Sequence, residues 1–164
     1  MDVSQYLEIF IDETAEHIQS LSDNIMELER EPDNEDTINE IFRAAHSLKG
    51  MAGTMGFKRM QHLTHDMENV FQEVRSGNVK VSSEMIDILF QCLDAIEGYL
   101  DAVKTTSDEG TEDNEAIIAA LNRFLAVEEN KEQKEDVAAK DHAKTGKVYE
   151  KKYLDIAFSE NEKK

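Results

Sequence analysis

The sequence predicts an all-α protein, an antiparallel up-down four-helix bundle with an additional fifth helix. Three observations carry this expectation. Apolar residues recur every three or four positions through residues 1–127. The 164 residues include 1 proline and 7 glycines, so few points interrupt a helix. The connections between periodic stretches are short, which favours antiparallel neighbours.

The first helix carries Leu7, Phe10, Ile11, Ile18, Leu21, Ile25 and Leu28 on one stripe. Asp2 is placed to cap its start, and Glu31-Pro32-Asp33 ends it. A second helix starts near Asp33 or Asn34 and turns Ile38, Ile41, Ala45, Leu48 and Ala52 inward, with Gly53-Thr54-Met55-Gly56 interrupting the chain near its end. The third buries Met60, Leu63, Met67, Val70, Phe71 and Val74, and Gly77 is its expected terminator. The fourth opens at Ser82 or Ser83 with Glu84 in its first turn, and buries Ile86, Leu89, Phe90, Leu93, Ile96, Leu100 and Val103. A shorter fifth follows the polar stretch 105–114 and carries Ile117, Ile118, Leu121, Phe124 and Leu125. This gives a helical domain over 1–127, a flexible polar linker over 128–146, and a segment over 147–164 of different character. There Leu154, Ile156 and Phe158 alternate with polar or small residues, a strand signal with no sheet to join. Residues 147–164 are therefore expected to be the truncated start of a following domain.

Composition excludes several function classes. The formal net charge is −18, and residues 1–127 alone hold 9 basic against 26 acidic side chains. A nucleic-acid partner needs the opposite sign. No apolar run approaches the ~18–20 residues of a membrane span. Met1-Asp2-Val3-Ser4 has neither the basic start nor the apolar run of a secretory signal. The single cysteine, Cys92, allows no internal disulfide. Together these point to the cytoplasm.

Of five histidines, His46 stands out by its company. At about 100° per residue it lies roughly 130° from the centre of its helix's core stripe, so its imidazole faces solvent. Lys49, Gly50 and Gly53 share that face. A glycine inside a helix costs about 1 kcal/mol relative to alanine. Two on the histidine's own face break a local rule without a packing gain, as functional sites tend to do, and they leave room for another protein to reach the ring. That Gly53 merely begins the turn would account for one glycine, not both.

Hairpin geometry adds a partner. With the turn at Gly56-Phe57, His46 and Glu68 are equally far from Phe57, as are Lys49 and His65. A carboxylate thus stands level with the imidazole, at the flank of the third helix and on the face of His65. Such a carboxylate fixes the tautomer by accepting the Nδ1 proton, leaving Nε2 as an outward nucleophile. Lys49 would supply charge for phosphoryl oxygens; His65 either tunes the carboxylate or donates to the phosphate. A metal site of His62, His65 and Glu68 fits poorly, because His62 and Glu68 diverge by about 120° around their helix. Cys92 lies beside the core stripe without a base, and no Gly-rich phosphate loop is present.

The segment from Phe42-Arg43-Ala44-Ala45 through His46-Ser47-Leu48-Lys49-Gly50-Met51-Ala52-Gly53-Thr54-Met55-Gly56-Phe57 resembles the phosphorylation-site segment of histidine-containing phosphotransfer domains, in particular those of CheA-type chemotaxis kinases. His62-Leu63-Thr64-His65-Asp66-Met67-Glu68-Asn69 resembles that family's supporting helix, and the resemblance covers residues 1–127. It implies that His46 is phosphorylated from ATP, with Mg²⁺, by a kinase catalytic domain of the parent chain acting across a dimer. No cofactor is expected on the present residues. It implies transfer onward to an aspartate of CheY- or CheB-like response regulators, with Glu68 as hydrogen-bond partner of His46 and with Lys49 and His65 as auxiliaries. Tyr153–Phe158 would resemble the first strand of a regulator-docking domain. Met51 and Met55 stand where many relatives carry Gly and Phe, and both changes spare the polar positions. The contrasting expectation is a non-catalytic acidic helical adaptor in which His46 is incidental.

Overall fold

A computed structural model describes the backbone of residues 3–137 and the side chains of residues 3–126. Five helices follow in order: α1 (Val3–Arg30), α2 (Glu35–Met55), α3 (Lys58–Arg75), α4 (Ser83–Thr106) and α5 (Glu115–Val137), with no strand among the described residues. The chain divides into two units, Met1–Leu125 and Ala126–Lys164. In the first, α2 packs against α3 and α1, and α4 against α1 and α3, the neighbour pattern of an up-down bundle.

The elements begin and end where local chemistry dictates. Asn34 caps α2, its side chain accepting from the Thr37 amide at 3.1 Å, and Glu35 and Asp36 follow in the first turn. Ser82 caps α4 through the Met85 amide at 3.1 Å. Gly56 ends α2 in the left-handed region at φ 78°, and the Phe57 amide closes back on the Ala52 carbonyl at 2.8 Å. Phe57 then turns inward against Phe10, edge to face at 5.2 Å. This two-residue turn, anchored in the core, sets the register of α2 against α3.

The core is the one the periodicity predicts. Leu21, Ile25, Ile41, Leu48, Leu63, Met67, Phe71, Leu89 and Ile96 are fully buried, each contributing about 1.5–3 kcal/mol relative to exposure. Phe90 is only partly buried, at the edge of the cluster. The larger correction concerns α5. It spans 23 residues, longer than α2 and α3, so residues 128–137 of the expected linker are helical. Glu, Lys and Gln crowd that stretch; they are strong helix formers that need no apolar stripe to favour a helix, and low apolar content misread it. The strand signal at 153–158 lies outside the described residues.

Nothing local caps α3: at its N-cap, Phe57 makes no side-chain hydrogen bond. Glu109 does so from the α4–α5 connection, with Oε2 accepting from the Arg59 amide and Oε1 from the Met60 amide, both at 2.9 Å. The carboxylate is buried, and Arg59 straps the same loop through Asp113 at 2.7 Å. Tyr99, also buried, donates to the Glu112 carbonyl at 2.7 Å and accepts from Asn114 at 2.9 Å. Replacing Glu109 by Ala bares two amides, a part-buried one at Arg59 and a buried one at Met60, and should lower unfolding free energy by roughly 2–3 kcal/mol. Urea unfolding followed by circular dichroism checks this; a loss below about 0.5 kcal/mol would mean water replaces the carboxylate at no cost.

Candidate functional site

The register set by the Gly56-Phe57 turn brings His46 and Glu68 together. His46 Nδ1 lies 2.7 Å from Glu68 Oε2. The His46 side chain is 63% exposed and the Glu68 side chain 13%, so a ring in water leans on a carboxylate set into the helix interface. An ionised carboxylate only accepts, so Nδ1 carries the proton and Nε2 keeps its lone pair.

Lys49, one turn beyond His46, places Nζ 2.6 Å from Glu68 Oε1. Each oxygen of Glu68 therefore has its own partner. Burial acts to raise the Glu68 pKa, but the hydrogen bonds from Lys49 and His46 outweigh it and hold the carboxyl below the usual carboxylate value. It stays ionised at any pH where the bundle is expected to work, which is what a tautomer clamp requires.

His65 is not drawn into this network. It is half exposed, and its charged contact is Asp66, the next residue, at 3.8 Å. Asp66 is buried and also meets His62 at 3.3 Å and Asn122 at 3.5 Å. It is a second carboxylate on α3 that the sequence did not flag, because its position beside Met67 reads as core. No group of three potential ligands suits a metal among the described residues. Cys92 is fully buried, which pushes its thiol far above the usual range and leaves it unreactive.

The two glycines separate in role. A Cβ at Gly50 would meet nothing within 4 Å, so the surface beside His46 is open there. A Cβ at Gly53 would stand 2.7 Å from the Gln61 amide nitrogen, so that notch is filled by α3. Gly53 lies within α2, not at the turn. Gly50 thus leaves open surface beside the ring, whereas the missing side chain of Gly53 makes room for the end of Gln61.

Phe42, four residues before His46, stacks beside it with ring centroids 6.4 Å apart and planes 12° from parallel. The Arg75 guanidinium sits 4.2 Å over the other ring of this pair, that of Phe42.

A family model, that of the Hpt domain, matches residues 5–106. The chain belongs to the Hpt domain family. This Hpt domain is 42% identical over 122 residues to the chemotaxis protein CheA of Bacillus subtilis, an alignment covering 74% of the chain and 18% of that protein. The chain spans about a fifth of the length of such relatives. Among solved structures, that of the histidine phosphotransfer domain of CheA in solution matches with a TM-score of 0.69 and 36% identity, covering 77% of this chain and 93% of that one. The phosphorylated P1 domain of CheA3 in complex with CheY6 from R. sphaeroides shares the fold at a TM-score of 0.69 and 21% identity, over 74% of this chain and 96% of that one. Both are helical bundles of the kind the periodicity predicts.

Proposed function

We propose that this Hpt domain is the phospho-accepting module of a CheA-type histidine kinase in a chemotaxis two-component system, and that His46 is its phosphorylated residue. The observation that carries the reading is the 2.7 Å contact between Nδ1 of an exposed imidazole and a half-sunk carboxylate. In the first step the His46 Nε2 lone pair forms a bond to the γ-phosphorus of ATP, and the bond to the bridging oxygen breaks, releasing ADP. The ring becomes a cation that keeps its Nδ1 proton against Glu68. In the second step an aspartate oxygen of a response regulator attacks the phosphorus, and the N–P bond breaks. Transfer of this kind depends mainly on positioning and charge neutralisation.

ATP and Mg²⁺ belong to a kinase catalytic domain elsewhere in the parent chain, acting in trans within a dimer. CheY- or CheB-like regulators receive the phosphoryl group, as the complex of CheA3 with CheY6 suggests by analogy. Lys49 holds Glu68 in the resting domain and lies one turn from the incoming phosphate, where its charge offsets that of the oxygens. His65, exposed on the Glu68 side of α3, is an auxiliary that meets the phosphoryl group or the partner. No helix among the described residues is long and apolar enough to cross a membrane, and the proposed site of action is the cytoplasm.

The test incubates the chain with a separate chemotaxis-kinase core, ATP and Mg²⁺. The expected product is an acid-labile, alkali-stable phosphate on the tryptic peptide 44–49, whose only histidine is His46. No label would overturn the reading in favour of the acidic adaptor, and label on another peptide would overturn the assignment to His46.

Gly50→Ala separates access from chemistry. Alanine fits the open surface and is the better helix former, so unfolding free energy should rise by about 0.5–1 kcal/mol. Transfer from the kinase core should slow by roughly two- to fivefold, as a methyl group worth up to ~1 kcal/mol of lost contact would dictate. Transfer from a small-molecule donor should not change. Equal slowing with both donors would mean Gly50 serves the ring, not the approach of a protein.

A further inference from the structure

One hydrogen bond does not fix the plane of an exposed imidazole. With Nδ1 tethered to Glu68, the His46 ring can still tilt about that contact, and most of its surface faces water. Nε2 must nevertheless present its lone pair along one line to an approaching phosphorus, within the narrow geometry that in-line transfer demands. A second contact is required, and α2 supplies it. Phe42 lies one helical turn before His46, and the two rings stack with planes 12° apart at 6.4 Å.

Phe42 is itself held. It is partly buried against the core, and the Arg75 guanidinium rests 4.2 Å over its ring. Arg75 follows Glu68 by seven residues, so the two project from the same face of α3, two turns apart. α3 therefore reaches the His46 ring twice, once directly through Glu68 and once through the Arg75–Phe42 pair. The placement of Arg75 is informative because the chain carries 36 acidic residues. Among the described residues Arg30, Arg43 and Arg59 all pair with carboxylates, whereas Arg75 lies on an aromatic face.

We infer that Phe42 is a positioning residue for His46, holding the imidazole plane so that Glu68 keeps the Nδ1 proton and Nε2 points outward, and that Arg75 holds Phe42 in place. The inference rests on the phospho-acceptor reading for its importance but not for its geometry. Stacking of this kind biases a ring toward one orientation by roughly three- to tenfold. Without it His46 samples orientations in which Nδ1 leaves Glu68 and the proton redistributes to Nε2.

The test uses the full chain and phosphoramidate, a small donor that needs no kinase. The His46 Nε2–P bond forms as the donor's P–N bond breaks, ammonia departs, and the ring keeps its Nδ1 proton. Acceptance is followed by ³¹P NMR, and the ring nitrogens by ¹⁵N shifts, which distinguish the two tautomers. Phe42→Leu should slow acceptance roughly three- to tenfold and move the ¹⁵N shifts from the Nδ1–H pattern toward a mixture. Phe42→Tyr, which restores the ring, should restore both. Arg75→Gln, an exposed change that leaves the core intact, should move both readouts in the same direction by less, and keeps the test decisive should Phe42→Leu lower helix content. Wild-type rate and wild-type ring shifts in Phe42→Leu would overturn the inference; unchanged values in Arg75→Gln would overturn the part assigned to Arg75. A wild-type chain that takes no phosphate would overturn the acceptor reading instead, and the ring shifts would still decide whether Phe42 orients His46.

Discussion

In His46→Gln, acid-labile phosphate should fall to background while helix content and unfolding stay near wild type. Glutamine keeps a polar side chain of similar reach but offers an amide nitrogen whose lone pair is delocalised, so no N–P bond can form. The fold has little to lose, because the His46 side chain is 63% exposed and surface changes of this kind stay within about 0.5 kcal/mol. Glu68 is not orphaned either, since Lys49 remains at 2.6 Å. Labelling assays with either a kinase core or a small donor check the loss. Residual label at more than a few per cent, resistant to the substitution, would place the acceptor elsewhere.

Removing the clamp is expected to be nearly as damaging to rate. Glu68→Ala should slow phosphoryl acceptance roughly 100-fold, about 2.7 kcal/mol of barrier, the scale seen when a partner that fixes an imidazole tautomer is lost. Two effects combine: Nδ1 loses its acceptor, and the cationic ring of the product loses its counter-charge. Glu68→Gln divides them, because the amide oxygen still accepts from Nδ1 but carries no charge, and its loss should be nearer tenfold, about 1.4 kcal/mol. The charge state of Glu68 offers an independent check. Its pKa is lowered in the fold by Lys49 and His46 against the opposing effect of burial. The stability it contributes is therefore present above the unfolded carboxylate value and lost as pH falls through the lowered one. Lys49→Met should move the Glu68 carboxyl titration upward, read by ¹³C NMR; an unchanged titration would mean the lysine contact has no electrostatic weight.

Most of the bundle was legible because helical burial repeats along the chain. The stripes of α1 to α4 put Leu21, Ile41, Met67 and Leu89 inside by spacing alone, and Asn34, Ser82 and Gly56 announced their boundaries by residue type. The pairing of His46 with Glu68 was legible too, since a tight turn makes register a matter of counting. What escaped has a common cause: it depends on contacts that no local pattern encodes. Glu109 caps a helix that begins some fifty residues earlier. Gln61 fills the notch at Gly53 from another helix. His65 shares a face with Glu68, yet its own rotamer takes it to Asp66. Phe42 could have been found, as its place one turn before His46 is plain in the sequence. The length of α5 was lost because polar composition was equated with a linker.

The Glu109 contact bears on how small this domain can be made. The family match stops at Thr106, three residues short of the carboxylate that completes the start of α3. A version trimmed at that point would retain the histidine, its glutamate and its lysine, yet leave the rod that carries the glutamate frayed at one end. A piece that keeps both this cap and the fully enclosed Leu121 side chain runs past Glu109 and on through Leu121.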